Sequence, residues 1–265
     1  MAWWLGWLPQ NLSPHHVKTS AALQQLPGVT SRYQALLQRF VNAQGLVNYQ
    51  GLGKQQAEVD NLLGILAQVS PSSHPSLFPT RQDKVAYWIN AYNLSVLRAM
   101  LHFPNFDSLI PYINKVRFFA IIRFTYGGKS YNLYNLENKW IRPQYQEPRV
   151  HFALNCASIG CPQLPHYAFV SSKLEQQLDY ETRKFLGQKQ NVRVDHTNKV
   201  IYLSSILQWY RSDFTEALDA QKIPAQASDR ILDYVNRYRT KGKKLPAQGY
   251  RVAYIPYDWR LNRQK

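Results

Sequence analysis

The stretch that decides the fold is "RVHFALNCASIGCP", residues 149–162. Its first half, Arg149 to Cys156, is mostly apolar and β-prone, and it reads as a central strand. Its second half bends through a run of small residues. His151 stands near the start of the strand. The only two cysteines of the chain, Cys156 and Cys161, fall five positions apart around the bend. A buried strand feeding such a bend, in a chain otherwise rich in amphipathic helices and scattered hairpins, points to α+β rather than a doubly wound sheet. The expected architecture is mixed helices around a small, mostly antiparallel sheet, with a papain-like, cysteine-hydrolase-like arrangement as one form of it.

The bend also carries the chemistry. Backbone N–H groups become free where a strand ends, and such groups favour a thiolate or an oxyanion. Cys156 is therefore a candidate nucleophile. It needs a base within hydrogen-bond reach, and the base needs an orienting partner. His151 is the nearest histidine in sequence. In a straight strand, residues five apart face opposite ways, and at ~3.3 Å per residue they lie roughly 16 Å apart. A direct pair thus requires the chain to reverse just past Leu154, which the segment Asn155 to Ser158 could supply. His166 is the alternative base. Asn155 or a local N–H would be the oxyanion donor.

Other readings of the cysteines stay open. They could be inert core thiols, a disulfide if the loop curls, or a redox pair, although C-x4-C is not the C-x-x-C exchange spacing. A zinc site would have to add His151 and His166, and no second cysteine pair supports it. No metal and no cofactor is expected. There is no G-x-S-x-G, no P-loop and no Rossmann glycine pattern.

Working outward, "TRQDKVAYWINAYNLSVLRAMLHFP" (80–104) is the clearest helix. Thr80 and Asp83 have capping-box spacing. Asn90 and Asn93 share a face of it, where they either bond neighbouring backbone or orient a buried polar site. Residues 33–41 and 55–69 read as two further amphipathic helices. "VRFFAIIRFTY" (116–126) reads as extended and "GGKS" as a hairpin turn. "YNLYNLENKWIRP" (131–143) reads as a short strand and then a helix ending before Pro143. Glu137 on that helix either orients a histidine or pairs with Arg142 or Lys139. A helix over 172–187 follows, then a hairpin around Asp195 to Asn198, two more helices, the second capped at Ser228, and a last strand at "GYRVAYIPYDW". The organisation expected is an N-terminal arm over 1–30 and one α+β domain over 31–265.

Composition bounds the partners. The chain has 265 residues, 45% hydrophobic, with 32 Lys and Arg against 16 Asp and Glu. A +16 balance suits an acidic partner, an anionic small ligand or a membrane surface. The basic residues are spread out, apart from Arg237, Arg239, Lys241, Lys243 and Lys244, and no nucleic-acid-binding motif accompanies them. No apolar run is long enough for a membrane span. The opening residues, with Trp3, Trp4 and Trp7, lack a signal-peptide pattern and read as an aromatic arm packing on the body. His15 and His16 read as surface residues. Reduced cysteines and no export signal favour the cytoplasm.

Several stretches together resemble a known family. "AYWINAYNLSVL" (86–97), "YNLYNLENKWIR" (131–142) and "PRVHFALNCASIGCPQL" (148–164) are similar to the signature blocks of domain of unknown function 547. "YQALLQRFVNAQGLVNYQGL" (33–52) resembles its opening block and "YLSSILQWYRSDF" (202–214) its C-terminal extension. The resemblance places recurrent polar residues at Asn90, Asn93, Glu137, Arg142, His151, Cys156, Ser158 and Cys161. Many relatives carry histidine directly after the glutamate, where this chain has Asn138.

Two functions follow as expectations. The first is a cysteine-nucleophile hydrolase or transferase acting on an amide or thioester of a small peptide-like substrate, such as a γ-glutamyl peptide like glutathione. Cys156 would be its nucleophile, His151 its base, and Glu137 or Asn90 the orienter. The second is a binding or scaffold domain whose basic surface meets an acidic partner.

Overall fold

The structure is a computed structural model of the chain and describes residues 9–14, 17–103 and 112–264. Trp3, Trp4, Trp7, His15, His16 and Pro104 lie outside the described residues. The fold is α+β, with helices and two three-stranded mixed sheets rather than a single sheet. The chain divides into two compact units.

The first unit takes residues 1–145, 154–174 and 259–265. Helix α1 (Thr19–Phe40) starts well before Tyr33 and runs through Pro27. Burial of Ala22, Val29, Tyr33 and Leu37 overrides the poor local propensity of proline. It packs on α2 (Gln56–Gln68), whose buried stripe is Val59, Leu62, Leu63 and Leu66. Arg32 holds Glu58 through two bonds of 2.7 and 2.8 Å across that pair. Helix α3 (Arg81–His102) begins at the expected capping box. The Asp83 N–H donates to Thr80 Oγ1 at 3.0 Å, and the Thr80 N–H donates to Asp83 Oδ2 at 2.9 Å. Fourteen residues of α3 are buried, including Trp88, Tyr92 and Asn93, so α3 is the spine of the unit.

Its sheet orders β1 (Gln10–Asn11), β2 (Ile122–Tyr126) and β3 (Lys129–Asn132), with β1 parallel and β3 antiparallel to β2. Gly127 and Gly128 make the expected hairpin turn at φ of 53° and 83°. A Cβ on Gly127 would stand 2.2 Å from Ser73 Oγ and 2.3 Å from Ser70 Oγ, so the turn tolerates only glycine there. Residues 117–121, expected to be extended, form a π-helical turn. An unalternating apolar run does not distinguish strand from helix. The helix after β3 also continues past its expected end. Pro143 is the second residue of a fresh α-turn, Arg142–Tyr145, following the π-helical stretch Leu136–Ile141. A missing N–H is tolerated at that place.

The second unit takes residues 146–153 and 175–258. Helix α4 (Leu174–Gly187) leads to β4 (Val192–Asp195) and β5 (Val200–Ser204), the expected hairpin; β6 (Arg251–Ile255) pairs parallel to β5. Between β5 and β6 come α5 (Arg211–Ala220) and α6 (Arg230–Tyr238). The cap of α6 is Asp229, which accepts the Ile231 N–H at 3.0 Å, rather than the expected Ser228. Phe152, Phe185, Leu203, Phe214, Ile231 and Tyr234 are central to the core of this unit.

The deciding stretch is not a strand. Pro148–Phe152 is a 3-10 turn capped by Glu147, whose Oε1 accepts the Arg149 N–H at 3.2 Å. Pro148 lacks the donor that a central ladder needs. Arg149 then pins the turn by pairing with Glu147 at 2.8 Å and with Glu175 and Asp179 of α4 at 2.6 and 2.8 Å. Burial works against the Arg149 charge, but these carboxylates outweigh it and raise its pKa. Val150, His151 and Phe152 are all buried.

Candidate functional site

The two cysteines lie in the first unit, in the loop that follows the 3-10 turn, and they are bonded to each other. The loop is braced by side-chain amides. Asn93, buried on α3, accepts the Asn155 N–H at 2.9 Å. Asn155 is itself a hub. Its Oδ1 accepts the Ala157 N–H at 2.9 Å and Asn262 Nδ2 at 3.3 Å, and its Nδ2 donates to Pro162 O at 2.8 Å. Asn262 donates its N–H to the Ala157 carbonyl at 3.0 Å and accepts the Tyr49 hydroxyl at 2.6 Å. Burial raises the Tyr49 pKa, only partly opposed by Arg263, so this hydroxyl remains a donor. The Ile159 N–H reaches Arg260 O at 2.8 Å. Ala157 turns the chain at φ 63°, a strained conformation for a residue with a Cβ.

Within this frame the two sulfurs differ. Cys161 is buried at 8% exposure, whereas Cys156 is partly exposed. The Cys156 N–H points at Cys161 Sγ, 2.9 Å away. Ser158 Oγ lies 3.6 Å from Cys156 Sγ. An oxidised pair has no thiolate, so in this form Cys156 is an electrophile and not a nucleophile.

The asparagines on α3 serve different ends of one excursion. Asn93 holds Asn155, while Asn90 binds the backbone of Phe169, donating to its carbonyl at 2.8 Å and accepting its N–H at 2.9 Å. Asn90 is therefore a backbone clamp and not an orienter of a histidine. Glu137 accepts the Tyr92 hydroxyl at 3.1 Å, and Arg142 donates to Asn138 Oδ1 at 2.6 Å. His166 is exposed, with its ring edge-on to Tyr167.

His151 belongs to the second unit. Its carboxylate partner is Asp213 and not Glu137: His151 Nε2 lies 2.8 Å from Asp213 Oδ2. The ring stacks on Tyr210 at 3.9 Å and meets the edge of Phe214. Its Nδ1 is buried without a hydrogen-bond partner. Asp213 and Tyr210 were not singled out from the sequence; they stand three apart in "WYRSDF", where α5 begins. Among the described residues no group of three or more His, Cys, Asp or Glu is placed to hold a metal ion, and no helix is long and apolar enough to cross a membrane.

Residues 76–186 match the family model described as "Protein of unknown function, DUF547". The match covers less than half of the chain. No curated protein and no solved structure matches the chain. The matched segment contains α3, β2, β3, the cysteine loop and most of α4. It includes all three signature blocks, while the stretches at 33–52 and 202–214 fall outside it. Asp213 thus lies beyond the DUF547 match, although His151 lies within it.

Proposed function

We propose that Cys156 and Cys161 form a thiol–disulfide exchange site for a small peptide-like thiol. The observation that carries this reading is the bonded pair itself, set in a loop that Asn93, Asn155 and Asn262 hold independently. A disulfide that is not needed to shape its loop is free to open. Its two sulfurs also differ in access, as a site with one attacked and one departing sulfur requires.

The step balances as follows. A substrate thiolate attacks Cys156 Sγ, the Cys156–Cys161 bond breaks, and Cys161 leaves as thiolate. A second substrate thiolate attacks the substrate sulfur of the mixed disulfide and releases Cys156. Two substrate thiols lose two electrons and two protons and become a disulfide, and the pair becomes a dithiol. With a substrate disulfide the sequence runs in reverse. Ser158 Oγ, 3.6 Å from Cys156 Sγ, is close enough to donate to that sulfur once the bond opens. The same dithiol state supplies the free Cys156 that hydrolase or transferase chemistry on an amide or thioester would use.

The test is a trapping experiment with glutathione and glutathione disulfide as probes. The Cys161→Ala variant, incubated with glutathione disulfide and read by intact mass, should accumulate a mixed disulfide on Cys156 many-fold faster than Cys156→Ala accumulates one on Cys161. Equal rates in the two variants, or a native pair that stays oxidised in excess glutathione, refute the reading.

A further inference from the structure

The second unit carries a cavity of about 330 Å³ that none of the preceding chemistry uses. Its apolar lining is Leu218 of α5, Ile223, Pro224, Leu245 and Ala247. The size falls at the lower end of the roughly 300–1,000 Å³ typical of small-molecule sites.

The polar groups around it are of two kinds. Some are already satisfied. Asp233 is paired with Arg230 at 3.1 Å and accepts the Gln226 and Ala227 N–H groups at 3.2 and 3.0 Å. Asn236 is closed on the Leu245 backbone, accepting its N–H at 2.6 Å and donating to its carbonyl at 3.1 Å. That double contact folds the basic run back against α6. Arg239 fixes the same run by donating to the carbonyls of Leu186 and Lys243.

The others are cations without a counter-charge. Arg237 donates to Gln221 Oε1 at 2.5 Å and has no carboxylate partner among the described residues. Lys244 is exposed and has none either. Lys241 and Lys243 are exposed in the same short loop. Two members of the densest basic cluster of the sequence, Arg237 and Lys244, therefore line a recess that also has an apolar side. An apolar floor with an uncompensated cationic rim selects a ligand with both characters, because charge alone needs no recess and an apolar body alone gains nothing from the rim.

We infer that this cavity binds a small amphiphilic anion, with a compact acyl or aryl body on Leu218, Ile223 and Leu245 and a carboxylate or phosphate against Arg237 and Lys244. The inference does not rest on the cysteine chemistry, since all its residues lie in the second unit.

Calorimetric titration of the full chain with hexanoate and with phenyl phosphate tests it, with inorganic phosphate and hexanol as controls. Saturable binding of one or both anions is expected, at least tenfold tighter than either control, and which anion binds identifies the head group. Arg237→Gln with Lys244→Gln should weaken it tenfold or more. Ala247→Phe, which fills the recess and leaves the charges in place, should do the same, with thermal unfolding used to confirm that each variant is folded. Absence of saturable binding by both anions, or affinity unchanged in the charge variant or in the filled variant, overturns the inference.

Discussion

Replacing both cysteines by alanine should weaken the protein less than removing the single side chain of Asn155. The disulfide joins residues five apart. For so short a closure, chain-entropy reasoning gives a stabilisation of only about 2 kcal/mol. The Asn155 amide makes three hydrogen bonds and is buried. Asn155→Ala strands the Ala157 N–H, the Asn262 amide and the Pro162 carbonyl. At about 1–3 kcal/mol for each buried group left unmade, and with some rescue by water, the loss should reach about 3–5 kcal/mol. Urea unfolding followed by far-ultraviolet circular dichroism measures both variants against the parent chain. The expected order of midpoints is parent, then Cys156→Ala/Cys161→Ala, then Asn155→Ala. If the cysteine variant falls below Asn155→Ala, the disulfide is what shapes the loop. The argument that it is free to open would then be refuted.

Asp213→Ala should destabilise the second unit by about 1–3 kcal/mol, because His151 Nε2 is left buried beside an already unpartnered Nδ1; loss of less than about half a kcal/mol by urea unfolding would mean water replaces the carboxylate. Gly127→Ala should be strongly destabilising, since its Cβ would meet both Ser70 and Ser73 at a positive φ, and a melting temperature within a degree or so of the parent would contradict the turn geometry. Thr80→Ala should cost about 1 kcal/mol through loss of the α3 cap, read from the same unfolding curves. The cap also sets a pH dependence. Burial pushes the Asp83 carboxyl up, but hydrogen bonds from Thr80 and Ser171 outweigh it, so its folded-state pKa is lowered. Its contribution is therefore full above the ordinary carboxylate range and is lost as pH falls through the lowered value. Asp83→Asn should flatten that acidic limb of the stability profile, and an unchanged limb would assign it elsewhere.

The elements legible in the sequence were those whose signals are local. The Thr80 and Asp83 cap, the Gly127-Gly128 turn and the hairpin around Asp195 each depend on residues within a few positions of one another. The stretch 149–156 was misread because its apolar composition fits a strand, while its conformation is set by Pro148 and by the reach of Arg149 to Glu175 and Asp179 on α4. The cysteine loop was legible as a motif, and its disulfide was one of several open readings. The asparagine bracing was half visible. Asn93 stood out with Asn90 as a polar pair on one face of the helix, but its partner could not be named. Asn262 lies 107 residues beyond Asn155 and carried no local signal. For the same reason Glu137 stood where Asp213 belongs: His151 finds its carboxylate 62 residues away.

Asn90 and Asn93 are successive footings on one turn of α3, separated by about 4.5 Å of helix rise. Between them the chain leaves at Asn155 and comes back at Phe169. A segment that departs and lands almost at the same spot behaves as a cassette. Its interior can be lengthened, shortened or exchanged with little change in closure entropy. The contacts of Ala157 with Asn262 and of Ile159 with Arg260 would have to be kept or replaced. Chemical novelty in such a protein would therefore arise most cheaply by rewriting what lies between the two asparagines, with the helix beneath serving as an unchanged socket.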